Sequence, residues 1–147
     1  MHTRIYAFGN GDKAIVEIDE KIPGTKKDVK NGQYPTWSVR FYEATSKGAR
    51  HVGGYCTITQ MPGCCGASIS SDLMVHGNYR GTQYPPTWRK LLFDILREDL
   101  KFAILLATWE DTNIAQIRSA KDLGWSVLDT FINKKTFHKL QLGVKHL

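Results

Sequence analysis

The sequence predicts one α/β domain, in which a mixed sheet of six to seven strands carries two main helices. The chain has 147 residues, the length of a single domain, and its hydrophobic content of 41% is sufficient for a core. Short runs with strand-like alternation fill its first half. In the second half, apolar runs at 67–75 and 102–107 flank a segment with helical periodicity. Two strands joined through one helix run parallel in a right-handed crossover, so the sheet is expected to be mixed.

The composition limits the classes of function. No stretch approaches the roughly 18 apolar residues of a membrane-spanning helix, and the N-terminus lacks the apolar core of a signal peptide. We therefore expect a cytoplasmic protein with no membrane partner. The three cysteines (Cys56, Cys64 and Cys65) have neither metal-site spacing nor the even count of a disulfide framework, so no metal is predicted. A net charge of +6 favours anionic partners, such as a phosphate-bearing cofactor, nucleic acid or an acidic protein surface.

The N-terminal quarter predicts a hairpin followed by a loop. Residues 4–8 and 13–19 alternate between apolar and polar side chains, and Gly9-Asn10-Gly11-Asp12 between them is a turn signal. The segment 20–36 is polar, rich in lysine and interrupted by Pro23-Gly24. We expect it to be an exposed basic loop with considerable motion.

Three strands of a meander come next. Residues 37–44 predict a half-buried strand, residues 51–59 its hairpin partner, and residues 65–75 a third strand. The pair Gly53-Gly54 lies inside the second run. Because glycine within a strand commonly marks a β-bulge, the pair predicts one here.

The loop after this strand has the composition of an anion-binding turn. It runs from Val75 to Pro86, is rich in glycine and in polar or basic residues, and precedes an amphipathic helix predicted over 86–100. Pro86 suits the first helical turn, where a missing N–H does no harm. Such a loop directs backbone N–H groups and the positive end of the helix dipole toward one point. Arg80 adds a charged, forked donor, so the loop predicts a phosphate site.

The remaining runs complete the sheet. Residues 101–109 are continuously apolar, as in a strand that is buried on both faces. Asn113 is placed to cap a helix that Gly124 ends, and residues 127–131 and 137–144 predict a terminal hairpin. The aromatic residues divide into core candidates, which are Trp88, Trp109 and Trp125, and candidates for an acceptor site, which are Trp37 and Tyr34.

Two motifs in this chain resemble those of the GNAT superfamily of N-acetyltransferases. The loop matches that family's acyl-CoA loop, V-x-P-x-Y-R-G-x-G-x-G/A, at Val75, Tyr79, Arg80 and Gly81, whereas Gly77 replaces proline and Gln83 and Pro85 replace two glycines. Asn113 precedes the pair Gly124-Trp125 with the spacing of the family's second motif, N-x-x-A-x-x-x-Y-x-x-x-G-F. The resemblance covers about three quarters of the chain, residues 37–147. The two helices that the family usually places between its first two strands are missing.

The resemblance implies an acetyl-CoA-dependent N-acetyltransferase that transfers an acetyl group to an amine of a small molecule or a protein. It implies cofactor contacts from the backbone of Met74 and Val75 and from the loop and the second motif, namely Arg80, Gly81, Thr82, Gln83, Tyr84 and Asn113. Asp72 and His76 are the candidates for the base that deprotonates the amine. The tyrosine that usually supplies the acid maps onto Ala120, and the adjacent Ser119 is expected to point about 100° away on the helix.

These candidates have ordinary structural alternatives. Asp72 also fits an outward-facing strand residue, and His76 fits an ordinary loop histidine. Arg80 also fits a surface arginine, and Asn113 fits a helix cap. Two other functions stay open. One is a non-catalytic relative, with a phage among the compatible sources, that binds a protein or nucleic acid through its basic surface. The other is a group transferase that modifies nucleic acid. The sequence predicts no oligomeric state.

Overall fold

The computed structural model describes residues 1–147 and contains a single mixed sheet of eight strands, in the order β1-β2-β3-β4-β5-β6-β8-β7. The strands are β1 (His2–Ala7), β2 (Lys13–Ile22), β3 (Thr36–Ala44), β4 (Arg50–Met61), β5 (Cys64–Val75), β6 (Ile104–Glu110), β7 (Ser126–Ile132) and β8 (Lys139–His146). The count of six to seven strands was wrong, because the N-terminal and C-terminal hairpins both join this sheet and supply its edges.

Three helices accompany the sheet. They are α1 (Lys26–Lys30), α2 (Tyr84–Asp94) and α3 (Ile114–Asp122). Helix α2 begins two residues before the predicted start, with proline in its first turn, and continues as a wide π-type turn over Ile95–Asp99. None of the helices combines the length and the apolar character that a membrane crossing requires.

The segment 20–36, predicted as an exposed basic loop, is exposed but carries regular structure. Strand β2 continues to Ile22, and α1 follows with no buried residue. Thr25 and Asp28 form a reciprocal capping box at its start, in which each side chain accepts a hydrogen bond from the other residue's backbone N–H. This capping satisfies backbone donors locally, and it explains why so short a helix forms without a core contact.

The predicted bulge in β4 is confirmed, and its reason is a tryptophan. The β3–β4 register passes from Phe41↔Gly54 to Tyr42↔Val52, so Gly53 is the extra residue. A Cβ added to Gly53 would overlap the Trp88 ring, which is fully buried. The bulge therefore lets α2 approach the sheet closely.

The core lies between α2 and one face of the sheet. Its centre is Trp88, which stacks on Phe41 and donates from Nε1 to the carbonyl oxygen of Tyr42 at 2.9 Å. The fully buried apolar side chains around it come from β2, β3, β4, β6 and the turn after α2: Val16, Ile18, Val39, Ile58, Ile95, Leu96 and Leu105.

Candidate functional site

The two parallel strands of the sheet, β5 and β6, pair only briefly and then separate. Their register contains three pairs, from Ala67↔Ile104 to Ile69↔Leu106. Beyond Ile69, β5 stays paired with β4, and beyond Leu106, β6 stays paired with β8. The predicted parallel crossover is confirmed, and a gap opens between the two strands toward their carboxyl ends.

A bulge in β5 accompanies the separation. Tyr55↔Met74 and Thr57↔Ser71 are register partners, so Asp72 and Leu73 together face Cys56 alone. Asp72 has a φ of 56°, a left-handed conformation that is uncommon for a residue other than glycine. After the bulge, the His76 N–H donates to the Gly53 carbonyl oxygen. Because N–H groups alternate between the edges of a strand, the Val75 N–H points into the gap.

A cavity of about 440 Å³ lies at the gap. Its lining comes from the end of β5, the loop before α2, α2 itself and the first turns of α3: Leu73, Met74, Val75, Arg80, Gly81, Pro85, Arg89, Asn113, Ala115, Gln116 and Ser119. Two of these residues are arginines and none is acidic, so the cavity is electropositive. No group of three or more His, Cys, Asp or Glu side chains in the structure is arranged to hold a metal ion.

The structure brings together half of the residues proposed from the sequence. Met74, Val75, Arg80, Gly81 and Asn113 all line the cavity. The others do not line it, namely Asp72, His76, Thr82, Gln83 and Tyr84. Asp72 is exposed at the β5 bulge and His76 is half-buried just after the strand, so both lie next to lining residues in the chain.

The loop before α2 offers fewer backbone donors than its composition predicts. The N–H groups of Arg80 and Thr82 donate to carbonyl oxygens within the loop, and the Tyr84 N–H donates to the Thr82 hydroxyl. Pro85 and Pro86 have no N–H. The amides of Gly81 and Gln83 remain without a partner in the protein. Gly81 has a φ of 76°, which explains the glycine.

Two tyrosines fix this loop to the core. Tyr79 is 6% exposed, and its hydroxyl donates to Glu43 Oε1 at 3.0 Å. Burial, and secondly the hydrogen bond to Glu43, raises the pKa of Tyr79 to about 12. The Tyr84 side chain is also buried and meets the rings of Phe8, Tyr79 and Trp88. The Tyr84 ring is therefore part of the core packing, and only the Tyr84 backbone lies close to the loop.

Helix α3 turns a different face toward the cavity than the motif predicts. Asn113 is its N-cap, with Oδ1 accepting from the Gln116 N–H at 3.2 Å, so the predicted cap is confirmed. Ala120, at the position of the family's tyrosine, is 3% exposed and lies in the core. Ser119 lines the cavity and Ala120 does not, which agrees with the expected angle of about 100° between them, because packing fixes the rotation of α3 about its own axis.

Arg89 is the charged residue of the cavity that sequence reasoning missed. Its Nη1 donates to Ser119 Oγ at 2.6 Å and its Nη2 to Gln116 Oε1 at 3.3 Å, which joins α2 to α3. Its Nε is buried without a hydrogen-bond partner. A signal was present, since Arg89 stands four residues from both Pro85 and Phe93, on the face of α2 that is turned inward.

Comparisons with known proteins address the fold. No family profile matches the sequence, and no curated protein matches it significantly. Solved structures do match the fold of this chain. A mutant of the spermidine N-acetyltransferase SpeG from Vibrio cholerae superposes with a TM-score of 0.62 at 8% identity. That match covers 74% of this chain and 65% of the Vibrio protein, so this chain spans less than two thirds of that protein's length.

Two further neighbours are more similar in sequence. The protein yncA from Salmonella typhimurium, solved with its cofactor acetyl-CoA, has a TM-score of 0.58 and 19% identity over 83% of this chain and 69% of its own. The ribosomal-protein-alanine N-acetyltransferase from Brucella melitensis has a TM-score of 0.59 and 23% identity, covering 83% of this chain and 74% of its own. The chain therefore has the fold of the GNAT acetyltransferases, as a divergent example of it.

Proposed function

We propose that this protein is an acetyl-CoA-dependent N-acetyltransferase. The observation that carries the proposal is the gap between β5 and β6, where two parallel strands part after three pairs and open a cavity lined by two arginines and no acidic side chain. A cleft at the carboxyl ends of parallel strands is where ligands bind in α/β sheets. The acetyltransferase fold of the structural neighbours supports the same reaction class.

The residues present fit acetyl-CoA. Arg80 lines the cavity without an ion-pair partner, and the amides of Gly81 and Gln83 are free. These groups would hold the phosphates of the cofactor, because guanidinium and backbone N–H groups are the donors that phosphate prefers. The N–H of Val75 would hold the carbonyl oxygen, since it points into the gap from an unpaired strand edge.

The cofactor supplies an activated acyl group as a thioester. Transfer forms a carbon–nitrogen bond to the acceptor amine and breaks the carbon–sulfur bond, while the amine gives up a proton. We propose that Asp72 or His76, both adjacent to the cavity wall, accepts that proton directly or through water. Ala120 cannot donate a proton to the departing thiolate, so the chain has no acid at the family's usual position. The acceptor is an amine of a small molecule or a protein.

Isothermal titration calorimetry with acetyl-CoA tests the cofactor role. We expect saturable binding that weakens about tenfold or more in Arg80→Ala, because a charge-assisted contact to phosphate contributes on the order of 1.5–3 kcal/mol. Arg118→Ala is the matched control, since Arg118 is exposed on α3 and does not line the cavity. Absence of heat with the wild-type protein contradicts the proposal.

The rate at which CoA thiol is released tests which residue is the base. Spermidine and peptides with an N-terminal alanine serve as acceptors. If Asp72 is the base, Asp72→Asn lowers turnover and leaves the affinity for acetyl-CoA unchanged, and His76→Ala is the parallel test for the histidine. Wild-type binding of acetyl-CoA without turnover on any amine supports a non-catalytic role. Salt-sensitive binding of DNA or RNA, without cofactor binding, supports instead a nucleic-acid partner on the basic surface.

A further inference from the structure

Arg89 is a half-buried charge without a counter-charge. Its only partners are a hydroxyl and an amide oxygen, and no Asp or Glu forms an ion pair with it. Burial lowers the pKa of the Arg89 guanidinium, although an arginine side chain stays protonated in proteins. A charge that is partly withdrawn from water without a counter-charge is costly. The two neutral acceptors reduce this cost but leave the charge itself uncompensated.

Arg89 occupies a different part of the cavity lining from Arg80. Arg89 stands one helical turn past Pro85, about 6 Å further along α2. Arg89 lines the cavity together with Val75 at the end of β5 and with Gln116 and Ser119 of α3. Its guanidinium lies against α3, where it makes both of its hydrogen bonds, while Arg80 lies in the loop.

The Arg89 guanidinium keeps donors beyond its two hydrogen bonds, because it carries five N–H groups and uses two of them. Nε is buried without a partner, and Arg80 is a second unpaired cation in the same lining. The loop itself has lost backbone donors, because four of its N–H groups donate within the loop and two positions are proline. Side-chain guanidinium groups thus supply the positive charge that a glycine-rich loop would supply through amides.

We propose that Arg89 binds an anionic oxygen of the acyl donor in the cavity. This inference rests on the proposed function, since it assigns the donor class to the same cavity. Two sources carry such an oxygen. One is a phosphate of the nucleotide part of CoA. The other is the terminal carboxylate of a dicarboxylic acyl group, as in succinyl-CoA, and a guanidinium binds either of them in a forked arrangement.

The test compares Arg89→Met with Lys90→Met by calorimetry. Methionine has a similar volume and no charge. Lys90 is the adjacent residue on α2, is exposed and does not line the cavity, so its substitution removes one positive charge elsewhere. The ligands are acetyl-CoA, succinyl-CoA and S-acetylpantetheine, of which the last has no phosphate.

Each source of the oxygen predicts its own pattern. If Arg89 binds a phosphate, Arg89→Met weakens both CoA esters about tenfold or more and leaves S-acetylpantetheine unchanged. If Arg89 binds a carboxylate, the wild-type protein prefers succinyl-CoA over acetyl-CoA. The Arg89→Met variant then loses this preference and keeps its affinity for acetyl-CoA. Lys90→Met behaves like the wild type in both cases. Equal binding of all ligands by Arg89→Met and wild type overturns the inference while the proposed function stands.

A second measurement separates a binding role from a structural one. If Arg89 only joined α2 to α3, Arg89→Met would lower the melting temperature and weaken every ligand alike, which also overturns the inference. If Arg89 binds a phosphate, the affinity for S-acetylpantetheine stays at the wild-type value whatever the change in melting temperature. If the wild-type protein binds no CoA ester, the proposed function fails. Thermal shifts with inorganic pyrophosphate and succinate then decide the inference, which requires a stabilisation that Arg89→Met abolishes.

Discussion

The two helices that enclose the cavity are held in very different ways. Helix α2 buries a continuous set of large side chains, which are Tyr84, Trp88, Leu91, Leu92 and Phe93, and the turn after it adds Ile95 and Leu96. Helix α3 buries only Ala120, although Leu123 follows at its end. One wall of the site is therefore part of the core. The other wall depends on a cap, a small apolar contact and the hydrogen bonds from Arg89.

This difference in burial gives the site one rigid wall, formed by α2, and one wall that moves more easily, formed by α3. Regions with few buried apolar contacts open at low free energy, whereas core elements open only with global unfolding. The Arg80 loop belongs to the first wall, because Tyr79 and Tyr84 join it to Trp88. A ligand that contacts both Arg80 and Asn113 would therefore meet a preorganised wall and order the second one on binding.

The largest expected effect on stability comes from the loss of Trp88, which holds α2 against the sheet. Trp88→Ala removes a fully buried side chain and should lower the free energy of unfolding by about 3–5 kcal/mol. Trp125→Ala is the matched control beside the second wall, because Trp125 is only half-buried, between Phe93 and Trp109. Urea denaturation should show a clearly smaller decrease in the free energy of unfolding for the control. Equal decreases in the two variants would contradict the difference between the two walls.

An intermediate effect concerns the attachment of the loop to the first wall. Tyr79→Phe removes the hydrogen bond to Glu43 and should cost about 1.5–3 kcal/mol, since the acceptor is charged. The pKa of Tyr79 is raised to about 12 in the folded state, above the ordinary value of about 10. The folded state thus keeps this proton longer than the unfolded chain does. Its contribution to stability is fully present below pH 10 and is lost as the pH rises toward 12.

Denaturation curves at pH 7, 10 and 11.5 check this dependence. The wild-type protein should lose more stability over that range than Tyr79→Phe, which has no hydroxyl to ionise. Tyr55→Phe is the control, because Tyr55 is exposed and its hydroxyl has no hydrogen-bond partner in the structure. A Tyr79→Phe variant with the same alkaline loss as the wild type would contradict a role for this tyrosine in holding the loop.

The smallest expected effect is in the second wall. Asn113→Ala removes the N-cap of α3 and should lower stability by about 1 kcal/mol. Hydrogen exchange should accelerate at the amides of α3 and stay unchanged in α2. Thr112→Ala changes the neighbouring residue, whose side chain makes no hydrogen bond, and should leave both helices as they are. Faster exchange in α2 as well would show that the two walls open together.

The sequence by itself determined the local features of this protein. Alternation and turn residues predicted both terminal hairpins, Gly53-Gly54 predicted the bulge, and Asn113 predicted the cap of α3. The order of apolar runs predicted the parallel pair β5–β6. These features depend on residues that are close in the chain, so a pattern within one segment is sufficient to specify them.

Only the tertiary structure decided what each segment packs against. It placed Arg89 in the cavity wall through partners 27 and 30 residues away, joined Tyr79 to Glu43 across 36 residues, and rotated α3 so that Ser119 rather than Ala120 lines the cavity. It also brought both terminal hairpins into one sheet of eight strands. Periodicity identifies which side chains share a face, but the surface that covers that face is set by packing between distant segments.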